Sequence, residues 1–275
     1  MNSMTKIYNF VKNSQVITFF CLSALLGYAP WIFTGKPNWF IYGMLISGFI
    51  LTAIFDGKKG VLDQLKNAVR IRSNYKNYLA VILILVISNL VTLLVAFLLF
   101  GDKPSLYMFR YEPLGIFVLI FFVLLGGPIF EEVFGLRGFA LPKLLEKYSP
   151  LNSSLIVGFF FGAWHLIAFF DPKSSQYAIG LIYYPLFIVL QIASSIIMTW
   201  IYLKSERNLF LGGIFFHLTM NMCNMLLQTD FRLSNMNAIP EINKHYFIIY
   251  SIIIMVVSVF IAVKNKMFEM TDKKQ

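Results

Sequence analysis

Acidic residues are scarce in this chain: 13 Asp and Glu among 275 residues, against 23 Lys and Arg. Cysteine is nearly absent. Cys21 and Cys223 both lie in apolar segments without a pairing pattern, so a disulfide framework is excluded and both read as small buried hydrophobes. No internal repeat or low-complexity tract is present. A duplicated half with paired broken helices is missing as well, which argues against a proton-coupled transporter built on the buried carboxylates and histidines. Charged residues make up only 13% of the chain, whereas 58% is hydrophobic. That balance excludes a soluble domain with an ordinary core.

Long apolar runs are what the chain has instead. Several reach the roughly 20 residues needed to cross a bilayer as a helix. The expected spans are 15–34, 38–55, 79–100, 114–133, 153–170, 179–203, 208–227 and 246–263. The fold class is therefore an all-α polytopic membrane protein with about eight transmembrane helices. Its organisation divides into an N-terminal part, 1–113, a core, 114–227, and a final part, 228–275. The first run is expected to be a retained span, since Lys6 and Lys12 precede it but no small-residue cleavage site follows.

The net charge of +10 does not point to nucleic acid, because the basic residues sit between spans. The ends and loops that an even number of spans puts on one side hold 17 Lys and Arg; the alternate loops hold Lys36, Lys103, Arg110, Lys173, Arg232 and Lys244. Positive charge accumulates on the cytoplasmic side, so both termini are expected there, facing anionic lipid. The connector Asp56–Tyr78 reads equally as a basic amphipathic helix on the inner leaflet, with Leu62, Leu65 and Val69 in helical register, or as a solvated loop. Past Arg137, Leu141, Leu144 and Leu145 keep the helical period, so the fourth span is expected to continue beyond Pro142. Ser149-Pro150 then breaks it, with Asn152 or Ser153 capping the fifth.

Ionisable groups inside apolar runs carry the functional signal. Glu131 and Glu132 end the run from Leu114, and His165 and His217 lie deep in two others. An ionised carboxylate in the bilayer centre costs about 3 kcal/mol or more, so such residues face a bundle interior and mark function by default. A single intramembrane histidine more often hydrogen-bonds a neighbouring helix. Two histidines, a paired Glu and Asn221 one turn beyond His217 shift the balance toward a shared site. On the expected spans this site opens toward the cytoplasm. Its inventory suits hydrolysis of an acyl bond by activated water. It also suits a metal, since Glu and two His are zinc ligands that leave a position for water. Phe161 and Trp164 read as packing around His165.

Three motifs stand in order: Glu131-Glu132 with Arg137, Phe161-Gly-Ala-Trp-His165, and His217-Leu-Thr-Met-Asn221. Together they resemble the signature of the CPBP family of intramembrane proteases, also called the CAAX protease and bacteriocin-processing or Abi family. Arg137-Gly-Phe-Ala-Leu-Pro142, Met198-Thr-Trp-Ile-Tyr202 and Arg207-Asn-Leu-Phe210 strengthen the resemblance, which covers about 125–225. One feature departs from the family pattern: four residues, not three, separate the Glu pair from Arg137. Aligned from Pro128, the catalytic carboxylate is Glu131; aligned from Arg137, it is Glu132. A π-bulge near Gly135 would absorb the extra residue, leaving Glu131 in the site and Glu132 paired with Arg137.

The resemblance implies an intramembrane endopeptidase of a bacterial-type cytoplasmic membrane. In it the catalytic Glu and His165 activate water while His217 and Asn221 stabilise the oxyanion. The implied partner is a membrane-associated or lipid-anchored peptide in the bilayer. Either no cofactor is required or a zinc ion is held by Glu131 or Glu132 with His165 and His217. The rival reading is a non-catalytic peptide-binding or bacteriocin-immunity protein.

Overall fold

A computed structural model describes residues 11–35, 42–229, 232 and 241–270. Most of the 228–245 connector, with Lys6, Lys36, Lys273 and Lys274, lies outside the described residues. Every described element is helical. In chain order they are α1 (Gln15–Thr34), α2 (Tyr42–Phe55), α3 (Gly57–Ala68), α4 (Tyr75–Phe100), α5 (Tyr107–Tyr111), α6 (Gly115–Gly126) and α7 (Pro128–Glu132). A π-turn (Leu136–Ala140) joins α7 to α8 (Leu141–Leu145). There follow α9 (Pro150–Trp164), a 3-10 turn (His165–Phe170), α10 (Ser175–Ile179), α11 (Tyr184–Lys204), a second π-turn (Phe210–Phe215), α12 (Phe216–Gln228) and α13 (Lys244–Lys264).

Seven segments among the described residues are long and apolar enough to span a membrane, and the chain is an all-α polytopic membrane protein. The remaining expected span is represented by α2, an apolar helix of 14 residues; residues 36–41 before it lie outside the described set. The fourth span runs 31 residues, Gly115–Leu145, and so continues past Pro142. Large apolar side chains such as Phe117, Leu98, Val256 and Phe260 are exposed along these helices. In a membrane protein that is the side lipid covers, since no water-driven burial is available there.

Polar atoms and small residues hold the interior. Gly158 and Gly162 of α9 face α11 so closely that an added Cβ would stand 2.5 Å from Ile192 Cα and 2.8 Å from Ile188 Cα. This small-x-x-x-small spacing lets two backbones approach, the usual basis of helix pairing in lipid. In α4, Asn89 is fully buried and accepts a 2.7 Å hydrogen bond from Gln228 of α12.

The bundle has two chemically distinct ends. At one, Lys143 reaches Asp56 at 3.5 Å, Arg70 donates to the Glu206 carbonyl at 2.8 Å, and Leu151 N–H donates to the Met267 carbonyl at 2.8 Å. At the other, His245 meets Asp102 at 2.8 Å, Thr229 bridges to Ile242, and Trp31 stacks on Phe170. The connector after Asp56 is the helix α3, docked on the first end, where Gln64 donates to the Gly138 carbonyl at 2.8 Å. Leu62, Leu65 and Val69 stay exposed on its outer side.

Two expectations are corrected. Ser149 caps α9, accepting from Asn152 N–H at 3.3 Å, and neither Asn152 nor Ser153 does. Pro150 occupies the first helical position, where its missing N–H costs nothing, so it starts the helix. Cys21 is exposed on the outer face of α1, whereas Cys223 is partly buried; both are free thiols.

Candidate active site

Glu131 and Glu132 lie on a broken helix. In an unbroken α-helix Glu132 and Arg137, five residues apart, would point about 140° away from each other. Instead Arg137 Nη1 stands 3.1 Å from Glu132 Oε1, with both side chains fully enclosed. The π-turn makes this possible. Phe139 N–H and Ala140 N–H both donate to the Gly135 carbonyl, at 3.0 and 3.1 Å, and the wider turn takes up one extra residue. The α2 backbone braces the break. A Cβ on Gly48 would fall 1.5 Å from the Phe134 carbonyl oxygen, a backbone atom that cannot swing away. Gly48→Ala is therefore expected to destabilise the protein by about 1–3 kcal/mol, as overpacking does. A lowered melting temperature in detergent checks this; an unchanged one would mean that α2 does not brace the turn.

With Glu132 held by Arg137, the adjacent Glu131 turns elsewhere. It lines a cavity of about 350 Å³, together with Phe161, His165, His217 and Asn221. Glu131 is 3% exposed and Glu132 0%. The two carboxylates flank one imidazole: His217 Nδ1 is 3.2 Å from Glu132 Oε1, and its Nε2 is 4.0 Å from Glu131 Oε2. Nδ1–H donation to Glu132 fixes the ring plane and leaves Nε2 facing the Glu131 side.

His165 sits where α9 tightens into the 3-10 turn. Its Nδ1 is 2.8 Å from the Phe161 carbonyl, so Nδ1–H donates there and Nε2 is left with a lone pair. The Phe161 ring meets both imidazoles edge-on, with centroids 4.5 Å from His165 and 5.8 Å from His217. That one ring spaces the two histidines. Trp164 points the other way, toward α1, where Tyr28 donates to its carbonyl at 2.6 Å and lies tilted beside its indole. It fixes the end of α9 and does not line the cavity. The sequence-selected residues thus fall into two groups. Glu131, His165, His217, Asn221 and Phe161 share the cavity wall, and Glu132, Arg137 and Trp164 stand behind it.

Sequence reasoning missed other polar lining groups: Gln191 on α11, Asn224 and Gln228 on α12, and Asp171 and Ser174 beyond α9. A signal for two of them was available, because Asn221, Asn224 and Gln228 continue the helical face begun by His217. Gln191, flanked by apolar residues on a different helix, had none.

Beyond the histidines the cavity is lined by Asp171, Ser174, Ser175, Gln176, Thr229 and Ile242. At the Lys143–Asp56 end of the bundle, Gln64 of α3 donates to the Gly138 carbonyl inside the π-turn.

The donors do not converge on a metal. Among the described residues no group of three or more His, Cys, Asp or Glu side chains is placed to hold one. Arg137 already engages Glu132, and the Phe161 carbonyl engages His165 Nδ1.

Residues 113–223 match a family model described as Type II CAAX prenyl endopeptidase Rce1-like. The chain is similar to CAAX prenyl protease 2 of Methanococcus maripaludis, with 38% identity over 114 residues. That alignment covers 40% of this chain and 41% of the relative, so the match spans about two fifths of the relative's length. All three motifs fall inside the segment that matches the family model.

Proposed function

We propose that the chain is an intramembrane endopeptidase that hydrolyses a peptide bond of a membrane-associated or lipid-anchored peptide in a cytoplasmic membrane. The observation that carries this reading is the convergence of Glu131, His165, His217 and Asn221, from three helices, on one cavity. The name of the archaeal relative, a CAAX prenyl protease, favours a lipid-anchored substrate.

A water held between Glu131 and His165 Nε2 loses a proton to Glu131 as its oxygen attacks the scissile carbonyl. His165 Nε2 accepts the water's other hydrogen bond, which aims a lone pair of the water oxygen at the carbon. The carbonyl oxygen, becoming an oxyanion, takes hydrogen bonds from the Asn221 amide and from the His217 ring. Donors fixed in place before the reaction cost no reorganisation when charge appears. Glu131 then returns the proton to the departing amine, the same group serving as base and acid. Arg137 holds Glu132 in place, and Glu132 in turn holds the His217 ring.

The test is cleavage of a quenched peptide library by protein reconstituted in vesicles. Wild type is expected to cleave, and His165→Ala to lose about 10²–10⁴ of the rate, the usual worth of a positioned acid–base group. Unchanged cleavage by His165→Ala would remove that residue from the mechanism. A run with a strong chelator accompanies it. Retained activity favours the metal-free scheme above, and loss restored by zinc overturns it.

A further inference from the structure

We propose that α3 is a clamp set by anionic lipid. Its outer face docks on acidic headgroups, while its inner face holds together the two π-turns beside the Glu pair and His217. Docking and clamping stand apart from the peptidase reading; only their effect on cleavage rests on it.

Chain geometry places α3 at the membrane surface. One residue, Asp56, separates it from the apolar helix α2, and α4, long enough to span, starts at Tyr75. At about 100° per residue, Leu62, Leu65 and Val69 fall on one narrow stripe. All three are exposed, and so are Lys58, Lys59 and Lys66 beside them. Exposed Ile71 and Arg72 follow directly. An apolar stripe rimmed by cations fits the boundary of a bilayer, with its apolar side chains among acyl chains and its lysines at phosphates. Over residues 56–72 the acids are Asp56 and Asp63, against Lys58, Lys59, Lys66, Arg70 and Arg72. Asp56 is already engaged by Lys143. That surplus of positive charge selects anionic over zwitterionic lipid.

The inner face touches both broken helices. Gln64 donates to the Gly138 carbonyl of the first π-turn at 2.8 Å. Asn67, three residues on and on the same face, donates to the Arg207 carbonyl at 2.9 Å and accepts from Leu209 N–H at 3.1 Å. Arg70, just past the helix, donates to the Glu206 carbonyl at 2.8 Å. Glu206 and Arg207 have φ of 59° and 55°, a left-handed conformation that non-glycine residues keep only where their surroundings hold them. Asn208, fully buried, caps the second π-turn by accepting from Leu211 N–H at 2.9 Å, and donates to the Arg70 carbonyl at 2.8 Å. Between these bonds Val61 and Ala68 pack with Val133, Phe134, Leu209 and Ile214. One short helix thus sets the spacing of the two segments that bring Glu132 and His217 within 3.2 Å. A helix of 12 residues is marginal by itself, so contact on its outer face decides how firmly its inner face is held. Gln64 and Asn67 are positioning residues that act through the turns.

The test uses the full chain in vesicles of phosphatidylcholine alone or mixed with phosphatidylglycerol. Amide hydrogen exchange is followed in segments 133–140 and 208–215. Exchange is expected to slow about 5-fold or more in the anionic vesicles, the lower end of a usual coupling between two sites. Replacing Lys58, Lys59 and Lys66 together by Gln is expected to erase that difference without loss of folding, since these side chains are exposed. Gln64→Leu is expected to keep docking but lose the protection of 133–140, a selective effect that general destabilisation would not give. Asn67→Ala, read at 208–215, serves if Gln64→Leu does not purify as a monodisperse protein. Docking itself is read from an environment-sensitive fluorophore on Leu65→Cys, in a chain whose Cys21 and Cys223 are replaced by Ala. Its emission is expected to shift to the blue in anionic vesicles only. Equal emission in both vesicles overturns lipid as the occupant and leaves the stripe to a protein partner. A blue shift with equal exchange in both vesicles overturns the clamp. Cleavage by the same preparations is expected to rise with docking. A chain that docks and gains protection yet cleaves nothing sinks the peptidase reading alone.

Discussion

Glu131→Gln is expected to abolish peptide cleavage, by about 10²–10⁴ at least, while leaving the melting temperature of the protein unchanged. The side chain keeps its volume and shape, so the wall of the cavity is not disturbed. His217 Nε2 is 4.0 Å away, too far for a hydrogen bond whose loss would loosen the fold. What disappears is the group that takes a proton from water and returns it to the leaving amine. Steady-state cleavage and a thermal melt on the same preparation read the two quantities separately. A variant that lost both would make Glu131 a structural carboxylate and hand the catalytic role to another group.

Glu132→Gln is expected to behave in the opposite way, with stability as its first loss. Arg137, 2% exposed, would remain buried without its ionic partner. Breaking a buried pair from one side costs about 3–5 kcal/mol, because the remaining charge has neither water nor a counter-ion. Arg137→Met strands Glu132 in the same way, although His217 at 3.2 Å still offers it a hydrogen bond, so that variant should suffer less. The double variant Glu132→Gln with Arg137→Met removes both charges and is expected to recover most of the stability. It should not recover activity, since the His217 ring loses its carboxylate anchor. Denaturant or thermal unfolding of the two singles and the double, run as a cycle, measures this coupling. Additive losses would show that the pair is not coupled and that the π-turn is held by packing alone.

Much of this arrangement is legible in the sequence, for reasons that differ by element. The long spans are visible because bilayer thickness imposes a length that few soluble helices share. The Glu pair and the two histidines stand out because ionisable groups are costly in an apolar run. The π-turn is visible as a counting mismatch: one residue too many lies between Glu132 and Arg137 for a buried pair on a regular helix. Where the carboxylates point then follows from the partner that Arg137 takes. Other features are set by tertiary contacts that no local pattern encodes. Gln191 joins the cavity only because Gly158 and Gly162 draw α9 against α11. Ser149 outcompetes Asn152 as cap because Pro150 fits the first turn, a preference that a reading of Ser-Pro as a breaker overlooks. The docking of α3 over the π-turn, through a glutamine inside a basic connector, is likewise set by tertiary contact.

Direct detection of the cleaved bond tests the central claim best. Purified wild type and Glu131→Gln, matched in melting temperature, are incubated in vesicles with a mixed library of apolar peptides, and the products are identified by mass spectrometry. Paired fragments with a new carboxyl terminus, formed by wild type and absent with Glu131→Gln, are the predicted result. Equal cleavage by both proteins, or none by a well-folded wild type across neutral, basic and lipid-anchored peptides, would contradict it.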